Sequence, residues 1–134
     1  EGVVFLSVNQ RDKLFIANIA RDFLGLGFHI VATRGTAKVL SEANLEVEMV
    51  YKVNEGRPNV VDLVKSKKIN LVINTPLGRE SFFDEKAIRR ACTQYRTPSI
   101  TTLSAAAAAV SAIRALQKEE ISVQSLQEYH SLCQ

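Results

Sequence analysis

A doubly wound α/β fold, a parallel sheet between two layers of helices, is what this sequence predicts, and two observations predict it. Five short, nearly continuous apolar runs recur along the chain. Between them lie segments whose apolar residues repeat at helical spacing. Parallel strands covered on both faces read as such runs and need right-handed helical crossovers, so the alternation specifies a three-layer α/β/α arrangement of five parallel strands.

Val3 to Val8 (VVFLSV) is the first strand. From about Asp12 to Leu26 the positions Ile16, Ile19, Ala20 and Phe23 recur at i, i+3, i+4 and i+7, with Gly25 and Gly27 as the stop signal, which predicts a helix. Phe28 to Ala32 is the second strand, followed by a short helix near Thr36 to Ala43. Val47 to Val53 is the third strand, and a helix near Asn59 to Lys67 follows. Asn70 to Asn74 (NLVIN) and Ser99 to Thr101 are the last two strands, bracketing a helix with Ile88, Ala91, Cys92 and Tyr95 on one face. A final helix runs from about Ser104 to Gln117, and its alanine run, Ala105 to Ala109, is expected to pack closely on the sheet. The tail from about 118 to 134, with Ile121, Val123 and Leu126, is expected to dock on the body or continue as a short helix.

With 134 residues the chain fits a single domain able to bury its own core. Hydrophobic residues at 46% and charged residues at 23% suit a soluble globular class, without an apolar run of the roughly 20 residues that span a bilayer. Cys92 and Cys133 suggest neither a disulfide framework nor a zinc cluster, which reads as a cytoplasmic setting. A net charge of +3 from scattered cations does not predict a nucleic-acid partner, and Lys65, Lys67 and Lys68 read as a solvated helix face. The chain starts Glu1-Gly2-Val3, with neither an initiator methionine nor a signal-like segment, so it is expected to be a piece of a longer polypeptide.

In open parallel sheets, ligands bind beyond the carboxyl ends of the strands, where helix amino termini converge. The turns at that edge are Ser7 to Lys13, Thr33 to Thr36, Lys52 to Asn59, Asn74 to Arg79 and Thr101 to Ser104. Each holds a hydroxyl, an amide or a lysine. Threonine and asparagine beside helix amino termini, with Lys13 and Lys52 nearby, make a phosphate site, and a phosphorylated small molecule is the expected ligand. Taken singly, Thr33, Thr36 and Ser104 are as well explained as helix N-caps. Taken together they exceed that need, because Thr33 and Thr36 share one turn and Asn74 is followed at once by Thr75. Asp84 and Glu85 begin a helix, where acidic residues complement the dipole. No Ser/His/Asp order, HExxH, GxxxxGK[ST] or GxGxxG occurs, and His29 and His130 have no evident partners. The residues thus favour binding over catalysis.

The strings FLSVNQRDK, GFHIVATRGTAKVL, YKVNEGRPNVVDLV, INLVINTPLGR and ITTL resemble the methylglyoxal-synthase-like superfamily. Within it, the resemblance is strongest to the C-terminal allosteric domain of the carbamoyl phosphate synthetase large subunit, and runs from Val3 to about Val123. It implies the strand order 3-2-1-4-5 and a single regulatory domain. It also implies a site for a nucleoside monophosphate effector of the UMP or IMP type, held by Lys13, Thr33, Gly35, Thr36, Lys52, Asn74, Thr75, Thr101 and Thr102. Where the enteric pattern reads Asn-Thr-Thr, this chain reads Asn74-Thr75-Pro76, one hydroxyl fewer.

The implied partners are the catalytic domains of the same large subunit and, through them, a small glutaminase subunit, with homo-oligomer contacts as a further expectation and no membrane. The implied parent is an ATP-dependent, glutamine-hydrolysing ligase using Mg or Mn, serving pyrimidine and arginine synthesis, and the domain itself carries no cofactor and no catalytic or metal-binding residue. Methylglyoxal synthase, the enzyme of the superfamily, has a catalytic aspartate where this chain has Glu55-Gly56-Arg57, another acidic position where it has Thr75, and a histidine without counterpart around Ser81 and Phe82. A lyase of that type and a ligand-free oligomerisation module are the alternative readings.

Overall fold

Strand β1 (Gly2–Ser7) is central in the sheet, and its side chains alternate between two helical layers, which is why Val4, Phe5 and Leu6 are wholly buried. The computed structural model describes residues 2–9, 11–51, 59–75 and 82–133, with the backbone alone described for 82–85 and 119–133. Within these residues β2 (Phe28–Thr33), β3 (Glu48–Val50), β4 (Leu71–Asn74) and β5 (Ser99–Ile100) complete a parallel sheet in the order β3-β2-β1-β4-β5. This is the predicted fold and order.

Helices α1 (Ile16–Gly25), α2 (Arg34–Glu42) and α5 (Leu103–Cys133) cover one face; α3 (Val60–Lys65) and α4 (Phe82–Gln94) cover the other. The first core joins Leu6, Ile16, Phe23, Leu40, Ile73 and Ala106, and the second joins Phe5, Val31, Val60, Val72 and Ile88. Phe23 meets Phe28 edge-on, with ring centroids 5.7 Å apart at 89°.

Several boundaries differ from the expectation, each for a local reason. Val8 leaves the sheet because its N–H is taken by the Thr36 hydroxyl at 3.2 Å. The first helix does not start at Asp12. Asn9 Oδ1 accepts from the Asp12 N–H at 2.7 Å and Asp12 O from the Phe15 N–H at 3.0 Å, which winds Asp12–Leu14 into a 3₁₀ turn before α1 begins. Strand β3 ends at Val50, with Tyr51 forming one bridge to Asn59; residues 52–58 of the expected strand and turn lie outside the described ones. Helix α5 runs on to Cys133, so 118–133 continue one long helix instead of forming a separate element.

The alanine run is not wholly buried. Ala106 and Val110 enter the core with Ile113 against it, one stripe at helical spacing, while Ala105, Ala107 and Ala108 face solvent. Gln117 Nε2 donates to Leu26 O at 3.2 Å and fastens α5 to the end of α1. Helix α3 is closed at its start by a capping box: the Asn59 carboxamide oxygen accepts from Val61 and Asp62 N–H, and Asp62 accepts from Asn59 N–H. Lys65, Lys67 and Lys68 are exposed, as expected, but α3 ends at Lys65, so Lys67, at φ 58°, and Lys68 lie beyond the helix and not on its face.

Candidate effector site at the carboxyl edge of the sheet

The strand order reverses at β1, so the crevice between the β1 and β4 ends is the switch point of the sheet. Ser7, Thr33 and Asn74 end the three adjacent strands β1, β2 and β4, and by strand alternation they share the face that carries Phe5, Val31 and Val72. A hydrophobic face thus closes in a row of three polar side chains, all buried.

The hydroxyls are tied together. Thr33 and Ser7 oxygens lie 3.3 Å apart and Thr33 and Thr36 oxygens 3.5 Å apart; since Thr33 has one proton, it donates to one of them and accepts from the other. Thr33 precedes α2 in extended conformation, yet its side chain makes no capping bond to that helix. Its hydroxyl belongs to the polar row. Thr36 accepts from Val8 N–H, and Thr75 accepts from Asn9 N–H at 2.8 Å while its own N–H donates to Ser7 O at 3.0 Å. The Thr36 and Thr75 hydroxyls, expected to be spare, therefore each accept one bond that shapes the β1–α1 loop. Ser7 and Asn9, which complete this frame, did not stand out in the sequence beyond their place in the turn.

The Lys13 ammonium lies over the first turn of α2: a methyl group added at Gly35 would come within 2.8 Å of Lys13 Nζ. Only a glycine leaves that approach open. The amino end of a helix carries a partial positive charge, so the lysine adds to it, and the two together form a focus for an anion. The Asn74 carboxamide makes no hydrogen bond among the described residues, and because every fully enclosed side-chain nitrogen or oxygen has a partner, its polar atoms reach solvent.

The structure brings together Lys13, Thr33, Gly35 and Thr36, with Asn74 and Thr75 joined to them through Ser7 and Asn9. Lys52 and Pro76 lie outside the described residues. Thr101 and Thr102 are exposed and line an adjoining cleft of about 480 Å³ with Asn9, Arg11, Asp12, Leu103 and Ser104. Thr102, not Ser104, caps α5, accepting from Ala105 N–H at 3.1 Å. Among the described residues no group of His, Cys, Asp or Glu is placed to hold a metal, and no helix is long and apolar enough to cross a membrane.

Such a sheet, with a cation and hydroxyls gathered along its carboxyl edge, is an open, doubly wound α/β domain of the kind that places ligands at that edge. The chain belongs to the MGS-like domain family, whose model matches residues 15–101. Over 97% of its length it is 54% identical to the carbamoyl phosphate synthase large chain of Acidobacterium capsulatum, of which it spans 12%. It is also 47% identical, over 97% of its length, to the C-terminal section of that large chain in Methanopyrus kandleri, of which it spans 24%. In fold it matches the methylglyoxal synthase of Elizabethkingia anophelis NUHP1 with a TM-score of 0.69 at 20% identity, covering 83% of this chain and 78% of that one.

Proposed function

We propose that this domain binds a nucleoside monophosphate of the UMP or IMP type and regulates carbamoyl phosphate synthesis by catalytic domains of the same large chain. The observation that supports it most is the Lys13 ammonium against the amino end of α2 with glycine beneath it. A phosphate fits two converging positive groups, and the Thr33 and Thr36 hydroxyls and the Asn74 carboxamide lie next to it to orient the rest of the ligand. Thr75 stands where the lyase has an acid, and its hydroxyl accepts from Asn9 N–H, which favours binding over proton abstraction. On this reading the domain is not itself an enzyme, and the parent is a cytoplasmic, ATP- and Mg- or Mn-dependent ligase that takes ammonia from a glutaminase subunit.

Regulation would be linkage: an effector that prefers one arrangement of domain and body shifts it by its differential affinity, about 1 to 3 kcal/mol. Titration calorimetry of the chain with UMP, IMP, ornithine and N-acetylglutamate tests the reading. UMP or IMP is expected to bind, and Lys13→Ala to weaken that binding about 10- to 100-fold through loss of a charge-assisted bond. Equal binding by the variant, or no binding of either nucleotide, would refute it.

A further inference from the structure

The 3₁₀ turn that brings Lys13 to the site carries, on its outer side, Leu14 at 80% exposure and Phe15 at 58%, the two bulky apolar side chains most exposed next to one another among the described residues. Met49 and Leu116, the other large exposed apolar groups, each stand alone on β3 and α5. Phe15 joins the 3₁₀ turn to α1 with helical dihedrals (φ −115°, ψ −11°) and leaves its ring exposed. The turn is also fastened to the site: Lys13 N–H donates to Asn9 O at 3.1 Å, and Asn9 N–H donates to Thr75.

We infer that Leu14 and Phe15 dock into an apolar recess on another part of the same large-chain polypeptide, and that this contact carries the state of the Lys13 site to it. The inference rests on the nucleotide reading above. The area decides the occupant. The pair presents roughly 250 Å² of apolar surface, against about 800 Å² per partner in a stable interface between separate molecules. A patch this small is held only by a partner tethered at high effective concentration, and the two relatives above have further chain to supply one, since this chain spans 12% and 24% of their lengths. Because Lys13 and the pair share one turn, a ligand that draws the ammonium toward α2 moves the pair with it.

The test uses the full large chain carrying Leu14→Ser with Phe15→Ser, and separately Phe15→Leu. Calorimetry gives the Kd for UMP, and the rate of carbamoyl phosphate formation with and without saturating UMP gives the response ratio. The double serine variant is expected to bind UMP within about twofold of the native chain while its response ratio collapses to about 1, from the 5- to 150-fold span typical of allosteric coupling. Phe15→Leu, which keeps an apolar side chain, is expected to keep most of the response. An unchanged ratio in the double variant overturns the inference and leaves the nucleotide reading standing. Loss of UMP affinity in parallel with the response also overturns it, since the pair would then serve the ligand. A native chain that binds no UMP overturns the nucleotide reading first.

Discussion

Thr36→Val tests whether the threonines at the switch point hold the fold as well as a ligand. Thr36 is 1% exposed, and its oxygen accepts from the N–H of Val8, itself 1% exposed, at 3.2 Å. Valine has nearly the same volume and a similar helix propensity, so the substitution removes little except the acceptor. It strands a buried N–H, which costs about 2 kcal/mol. For a chain of this size that is a fall in Tm of about 8 °C. Thr36→Ser keeps the oxygen and gives up one buried methyl, a loss of about 1 kcal/mol. The expected order of stability is therefore threonine, serine, valine, whereas burial of apolar surface alone would put valine first, then threonine, then serine. Thermal melts establish the order, and amide exchange at Val8, protected in the native chain, should accelerate in the valine variant. A valine variant as stable as the native chain would refute the assignment of the hydroxyl to Val8.

Three other perturbations separate site from scaffold. Gly35→Ala is expected to leave Tm unchanged or raise it slightly, because alanine suits the first turn of α2, while the new methyl displaces Lys13 Nζ and weakens UMP binding about tenfold by calorimetry. Asn59→Ala removes both bonds of the α3 cap and should lower stability by about 1 to 2 kcal/mol in urea unfolding, with UMP affinity unaffected. Burial pushes the Cys92 thiol above its ordinary 9.0, so above that pH the unfolded chain gives up a proton that the native chain keeps. Stability from this group is complete below about pH 9 and falls as pH rises further, and Cys92→Ala should flatten that fall in urea midpoints compared at pH 7, 9 and 10.

Strand positions and helix faces were legible because they depend on local periodicity: Ile16, Ile19, Ala20 and Phe23 form the buried stripe of α1 as their spacing requires. The same rule over-reached at the alanines, where uniform small residues hide which side of α5 faces the sheet and only Ala106 is wholly buried. Lys13, Thr33, Gly35, Thr36, Asn74 and Thr75 could be gathered at one edge from the turn positions and the family resemblance. What each hydroxyl does there could not, because the partners lie far along the chain: Val8 and Thr36 are 28 residues apart, Asn9 and Thr75 66. The 3₁₀ turn was equally hidden, for it depends on the Asn9 side chain competing for Asp12 N–H in a stretch that otherwise reads as a helix start.

The paired bonds from Thr75 to Asn9 and Ser7 have a mechanical consequence. They bolt the end of β4 to the end of β1 across the crevice where an open sheet would otherwise be easiest to prise apart. Wedging the strands apart there would mean breaking both bonds together. The carboxyl edge of the sheet is thereby stiffened where it would otherwise be weakest, beside the turn that carries Lys13, Leu14 and Phe15.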